Sequence, residues 1–211
     1  MKNLKVNRGI PFKLGNLFLI AVLSLFGCSS NTFDSKEELL EYIKNEDHGF
    51  ILKKNINGVD FSLLYKPTDL LVMQDLGEDR SKGRIDSLRD KYKDYMYFNL
   101  SMSVNNKELL SVVPQNRNEF GAMVNQLAFG MGEKVHCYTN NKDTIPLTDY
   151  VYPRMYGMSN NTSILFVFPK TEEVNNAEQL YFTIEDIGMN TGEVKFKFLN
   201  NTLQQEPKLG I

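Results

Sequence analysis

The stretch FILKKNINGVDFSLLY, residues 50–65, predicts a β-hairpin and fixes the kind of sheet to expect. Asn57-Gly58 stands near its centre, and this dipeptide tolerates the positive φ angles that a two-residue hairpin turn requires. In the second half of the stretch, apolar residues occupy every other position: Val59, Phe61, Leu63 and Tyr65. This period of two is that of a half-buried strand, so the hairpin predicts antiparallel pairing over a core.

Further strands are predicted on both sides of the middle of the chain. Residues 95–104, YMYFNLSMSV, alternate in the same way. After position 133, Asn-rich or Gly-containing turns separate five candidate strands: Lys134–Thr139, Thr148–Tyr156, Ser163–Phe168, Gln179–Glu185 and Glu193–Leu199. Short strands at this spacing are typical of a β sandwich. Residues 107–113, KELLSVV, are expected to add one more strand.

Helices are predicted mostly before residue 130. Ser35-Lys36-Glu37-Glu38 forms a capping box, which begins a helix over about 35–47. Shorter helical patterns follow Pro67, end near Tyr95 and surround Met123. We therefore expect an α+β fold: an antiparallel β sandwich, immunoglobulin-like or related, with three or four helices mainly in the N-terminal half.

The first 27 residues have the features of a processing segment. Four basic residues (Lys2, Lys5, Arg8 and Lys13) precede the apolar run LFLIAVLSLF, residues 17–26, which is too short to span a bilayer. Leu25-Phe26-Gly27-Cys28 then resembles the lipobox of bacterial lipoproteins. The resemblance implies cleavage between Gly27 and Cys28 and a diacylglycerol on the Cys28 sulfur. An ordinary signal peptide or a short signal anchor is the alternative.

These features divide the chain into a signal peptide (1–27), a lipidated tether (28–32) and one globular domain (33–211), a length that suits a single domain. Removing the four basic residues changes the formal net charge from −2 to −6. An acidic domain is a poor candidate for binding nucleic acid. If Cys28 carries lipid, Cys137 has no disulfide partner within the chain.

The sequence contains no recognisable catalytic or metal-binding motif, so we expect no catalytic residues, metal or cofactor. His136 and Cys137 are adjacent in a predicted strand, and their side chains would point to opposite faces. They therefore cannot form a dyad with each other. Two groups with potential metal ligands, around His48 and in the turn over residues 185–193, are better explained as a helix exit and a hairpin turn.

A candidate contact surface lies in DYVYPRMYGM, residues 149–158. Tyr150, Tyr152 and Arg154 would share one face of the predicted strand, and Tyr156 follows them. Tyr and Arg are enriched at interface hot spots. The alternative is a strand whose tyrosines cover the core and keep their hydroxyls in solvent.

The lipobox, the Asn- and Lys-rich composition and ILKKNINGVDFSLLYKPTDLLVMQDL, residues 51–76, resemble uncharacterised lipoproteins of Bacteroidota over about residues 33–200. The resemblance implies no activity and no catalytic residue. We expect a lipid-anchored module of the cell envelope that binds a protein partner. The serine after Cys28 resembles that of lipoproteins sorted to the outer membrane, so we expect it there. A small carbohydrate-active or other hydrolase, and an immunity or inhibitor lipoprotein, remain as alternatives.

Overall fold

The computed structural model describes residues 31–155 and 157–211. This part of the chain is α+β, with eleven strands. The strands are β1 (Thr32–Phe33), β2 (Ile51–Ile56), β3 (Val59–Tyr65), β4 (Tyr95–Val104), β5 (Val135–Thr139), β6 (Thr144–Ile145), β7 (Asp149–Val151), β8 (Thr162–Pro169), β9 (Gln179–Ile184), β10 (Val194–Leu199) and β11 (Lys208–Leu209).

The larger sheet is antiparallel and has the strand order β2-β3-β4-β8-β7. The predicted hairpin joins β2 to β3, with φ angles of 51° at Asn57 and 80° at Gly58. Strand β4 lies at the centre, and its alternate residues from Met96 to Met102 are buried, as their spacing predicts. Its length of ten residues corresponds to about 30 Å.

The smaller sheet is also antiparallel and has the order β10-β9-β5-β6. Aromatic rings join it to the larger sheet. The ring centroid of Phe182 on β9 lies 5.7 Å from that of Phe98 and 5.6 Å from that of Phe166, and Phe198 on β10 lies 5.5 Å from Phe98. Rings at these separations and tilts contribute attraction beyond the burial of their apolar area.

Seven α-helices lie in the described part of the chain: α1 (Lys36–Lys44), α2 (Thr68–Asp75), α3 (Lys82–Tyr92), α4 (Leu109–Val112), α5 (Arg117–Asn125), α6 (Glu172–Asn176) and α7 (Asn200–Gln204). Short 3-10 turns at Glu46–His48 and Met131–Glu133 and a π-helical turn at Gln126–Gly130 accompany them. None of these helices is long and apolar enough to cross a membrane.

The described residues form seven α-helices rather than the predicted three or four, and the helices are not confined to the N-terminal half, because α6 and α7 interrupt the C-terminal strands. Each has five residues, too few for a helical period to appear in the sequence. The Thr171 hydroxyl caps α6 by accepting a hydrogen bond from the Val174 N–H. Buried Asn200 begins α7 and donates to the carbonyls of Val174 and Ala177 at 2.6 and 2.8 Å. The predicted strand over residues 107–113 is also wrong, since α4 lies there.

The two ends of the described chain meet. Strand β1 pairs in parallel with β11, so that Thr32 lies opposite Lys208 and Phe33 opposite Leu209. The Lys208 N–H donates to the Asn31 carbonyl at 2.7 Å, and the Gly210 N–H donates to the Phe33 carbonyl at 3.0 Å.

Strand pairing gives the larger sheet two distinct ends. At one end, Tyr95 of β4 pairs with Pro169 of β8, and Tyr65 closes β3. The joined chain ends lie here, because the Tyr65 hydroxyl donates to Glu206, two residues before β11. We call this the termini end. The other end, where Met102 pairs with Thr162, is called the opposite end.

Candidate functional site

At the opposite end, a buried carboxylate holds the segment that follows β7. Glu108, only 4% exposed, accepts hydrogen bonds from the backbone N–H groups of Gly157 at 2.9 Å and Ser159 at 3.2 Å. The N–H of Leu109 donates to the hydroxyl of buried Thr162 at 3.0 Å. The start of α4 is therefore bonded both to the segment after β7 and to the start of β8.

An apolar groove of about 350 Å³ opens beside this anchor. Leu110, Phe120, Val124 and Tyr152 form its apolar walls, and Glu108 and Arg154 supply its charged groups. Its volume lies at the lower end of the range for ligand pockets, which suits one or two side chains of a partner. The groove joins α4, α5 and the segment after β7.

Large apolar side chains are exposed on and beside the groove. Phe120 is 46% exposed, and Val151, Met155 and Met158 on the adjoining segment are 51%, 39% and 79% exposed. Single exposed apolar residues are ordinary in soluble domains, whereas several beside one concave surface are typical of an interaction site.

The predicted contact surface is only partly assembled around this groove. Strand β7 ends at Val151, so the strand face expected to continue through Tyr152 and Arg154 does not reach them. Tyr152 and Arg154 line the groove, but the Tyr150 ring stacks on Phe166, with 5.8 Å between centroids, and covers the core. Tyr156 lies outside the described residues, and so do Gly27 and Cys28 of the predicted cleavage and lipidation site.

We expect Glu108→Ala to loosen the segment over residues 152–159. The change leaves two backbone N–H groups without their charged acceptor, and hydrogen bonds to charged groups contribute about 1.5–3 kcal/mol each. Limited trypsin digestion should then cut after Arg154 at least about tenfold faster, which corresponds to 1.4 kcal/mol of easier opening. Glu119→Ala on exposed α5 is the matched control, and it should leave cleavage after Arg154 unchanged. Equal cleavage rates for Glu108→Ala and the unmodified protein would contradict this role of Glu108.

A second concave site, the polar pocket, lies at the termini end and has a volume of about 490 Å³. Glu206 accepts hydrogen bonds there from the Tyr65 hydroxyl at 2.5 Å, the Thr68 N–H at 2.7 Å and the Lys170 ammonium at 2.8 Å. Burial and then the charge of Glu206 raise the pKa of Tyr65 well above its ordinary value, so its hydroxyl keeps the proton it donates.

The other carboxylate of the polar pocket is Asp69, which is 4% exposed. Arg89 binds it in a bidentate manner, with both N–O distances at 2.8 Å, and the Leu209 N–H adds a third bond at 2.8 Å. A carboxylate pair that hydrolyses glycosides needs one member able to donate a proton. Asp69 and Glu206 are each paired with a cation and accept three hydrogen bonds, an arrangement that favours a structural role.

Sequence reasoning missed the residues of the polar pocket. Asp69 and Arg89 are 20 positions apart, and Tyr65 and Glu206 are 141 apart. No local pattern marks any of them, because each lies in an ordinary helix, strand or turn. The packing of α2 against α3 brings Asp69 to Arg89, and the C-terminal segment that pairs with β1 brings Glu206 to Tyr65.

The histidines and Cys137 have structural contacts. Cys137 is fully buried on β5, and burial raises the pKa of its thiol to about 12, which makes it a poor nucleophile. His136 points to the other face and contacts Glu185 at 3.1 Å, while Lys134 and then His136 lower the pKa of Glu185. His48 stacks on the Tyr42 ring and contacts its carbonyl oxygen at 2.7 Å.

The part of the chain that the structure describes contains no group of three or more His, Cys, Asp or Glu side chains placed to hold a metal ion.

Comparisons with known proteins give no assignment. No protein-family model matches the chain, and no curated protein matches it. A DUF4426 family protein from Pseudomonas aeruginosa aligns with 71% of this chain and 91% of its own, at 14% identity and a TM-score of 0.35. A protein of unknown function from Burkholderia pseudomallei aligns with 79% of this chain and 86% of its own, at 10% identity and a TM-score of 0.38. At such low scores nothing is transferred from either protein.

Proposed function

We propose that this protein is a lipid-anchored module of the bacterial cell envelope that binds a protein partner through the apolar groove. Its two antiparallel sheets form a β sandwich, immunoglobulin-like or related, and Cys28 carries the lipid. The groove, with its exposed apolar rim and its segment fixed by Glu108, is the observation that supports binding.

The position of the groove supports the same function. Thr32 lies four positions after Cys28, and an extended chain spans at most about 3.6 Å per residue. A lipid on Cys28 would therefore hold the termini end within about 14 Å of the membrane surface. The groove lies at the opposite end of β4, about 30 Å away along the strand, where a partner has access to it.

A protein partner fits the groove better than a small substrate does. Its walls are apolar. Phe120 is of a type enriched at protein interfaces, and Tyr152 and Arg154 are of types enriched at their hot spots. Hydrolysis is not favoured, because both carboxylates of the polar pocket are paired with cations. No particular observation favours inhibition of a toxin.

One experiment on the full chain, expressed in a bacterium that processes lipoproteins, tests both parts of this proposal. Cys28→Ser should release the protein from the membrane fraction or leave it unprocessed. After detergent solubilisation, Phe120→Asp should reduce recovery of one stoichiometric partner at least about thirtyfold, as expected for a hot-spot loss of 2 kcal/mol. Leu199→Asp, at a comparably exposed apolar residue of β10, is the matched control and should recover the partner normally.

The two arms fail separately. Unchanged processing and membrane retention of Cys28→Ser would contradict the lipid anchor. Equal recovery of the partner by Phe120→Asp and Leu199→Asp, or the absence of a stoichiometric partner, would contradict binding through the groove.

A further inference from the structure

The polar pocket has more cationic than anionic side chains. Four cations and two carboxylates line it: Arg89, Lys93, Lys170 and Lys208 against Asp69 and Glu206. Its local charge is therefore positive, although the whole chain has a formal net charge of −2. A pocket that only reflected the average composition of the chain would carry a slight negative charge, so the positive charge is a feature of the pocket itself.

The carboxylates have little capacity left for a ligand. Glu206 and Asp69 each accept three hydrogen bonds within the protein. Lys208, by contrast, forms no ion pair with any described carboxylate, while Lys170 and Lys93 each use one of their three donors, on Glu206 and Asp90 respectively. What the pocket can still offer a ligand is positive charge and N–H donors.

We propose that the polar pocket binds a phosphate group, and that the headgroup phosphate of a membrane lipid is its natural source. A phosphate presents several oxygens in different directions, so it can accept from cations that converge from separate elements. Lys93 follows α3, Lys170 follows β8 and Lys208 lies on β11. A volume of about 490 Å³ leaves room for the glycerol or sugar next to the phosphate.

The proposal that a lipid headgroup supplies the phosphate rests on the proposed lipid anchor. The proposal that the pocket binds phosphate does not depend on the anchor. The pocket lies at the termini end, and Lys208 pairs directly with Thr32, four residues after Cys28. An anchored domain would hold this end next to the headgroups, where the local concentration of lipid phosphate is highest.

Two further lysines, Lys66 and Lys36, add positive charge near the same end. Lys66 lies between Tyr65 and Thr68, two residues of the pocket wall. Burial, and after it the charge of Lys36, lowers the pKa of Lys66. An anion at this end of the domain would relieve the repulsion between the two lysines.

Hydrogen–deuterium exchange of the full chain in detergent tests the binding of phosphate. Inorganic phosphate, compared with sodium chloride at the same ionic strength, should slow exchange in the peptides that contain Lys170 and Lys208. In Lys93→Ala/Lys208→Ala, the phosphate concentration that gives half-maximal protection should rise at least about tenfold. Lys107→Ala/Arg117→Ala removes the same charge at the opposite end and should respond like the unmodified protein.

A second arm distinguishes the two sources of phosphate. The lipidated protein is placed in nanodiscs of phosphatidylcholine, whose choline cation offsets the charge of its phosphate, with or without anionic phosphatidylglycerol. Exchange is compared in the same peptides. Protection by phosphatidylglycerol alone, or by it and inorganic phosphate, supports the headgroup as ligand. Protection by inorganic phosphate alone supports the pocket and contradicts the headgroup as its source.

Two results would overturn the inference. One is the absence of protection by either phosphate source, and the other is equal protection in the pocket variant and the control variant. Failure of the chain to enter nanodiscs would count against the lipid anchor, and the detergent arm would still decide whether the pocket binds phosphate.

Discussion

Phe182→Ala should lower the free energy of unfolding by about 3–5 kcal/mol, the usual cost of removing a buried phenylalanine ring. Phe182 joins the two sheets, because its ring contacts those of Phe98, Phe166 and Phe168 on the larger sheet and Phe196 on its own. All five side chains are almost fully buried, so the cavity left by alanine cannot be filled without moving several rings.

Urea denaturation followed by circular dichroism measures this loss. The control is Tyr181→Ala, the adjacent residue on the opposite face of β9, where its ring stacks on Tyr138 outside the core. Loss of that cross-strand pair should cost about 1 kcal/mol or less. A similar loss in both variants would contradict a central role of the Phe182 ring in packing the two sheets together.

The second large effect is expected from Arg89→Met, which should destabilise the fold by about 3 kcal/mol. The change leaves the Asp69 carboxylate buried with the Leu209 N–H as its remaining partner, and an uncompensated buried charge typically costs about 3–5 kcal/mol. The side chain of Arg89 is 34% exposed, so water screens the pair and places the loss at the lower end of that range.

A double-mutant cycle with Asp69→Leu separates this pair from its surroundings. The double variant should lose less stability than the sum of the two single variants, because it leaves no unpaired charge. Lys93→Met breaks an exposed pair with Asp90 and serves as the control, with an unchanged urea midpoint expected. Faster hydrogen exchange at the Leu209 N–H in Arg89→Met would report that β11 is loosened. Additive losses in the cycle would contradict coupling between Asp69 and Arg89.

Local patterns in the sequence predicted local structure correctly. Asn57-Gly58 forms the expected turn, and the Ser35 hydroxyl caps α1 by accepting from the Glu38 N–H at 3.2 Å. The α+β class and the antiparallel sheets follow from such signals. In each case the residues that decide the structure lie within a few positions of one another.

The remaining errors of the sequence-based prediction arise where a tertiary contact or a single residue determines the local structure. The strand predicted through residues 148–156 ends at Val151, and Pro153, which has no N–H, cannot continue a ladder. Glu108 belongs to KELLSVV, whose apolar residues suggest a strand. In the structure a helix begins at Leu109, and the Glu108 carboxylate accepts hydrogen bonds from the distant Gly157 and Ser159 N–H groups. The polar pocket was not predictable, because its partners come together only when α2 packs against α3 and the chain ends pair.

That pairing has a practical consequence for labelling the protein. Because β1 and β11 lie side by side, anything fused after Ile211 emerges next to the start of the described domain, where the polar pocket also lies and where the proposed anchor would attach. The turn at Asn105-Asn106, with φ angles of 52° and 59°, offers an insertion point at the other end of β4. A reporter there leaves the paired chain ends free, and under the proposed anchoring its distance from the bilayer would measure how far the domain extends from the membrane.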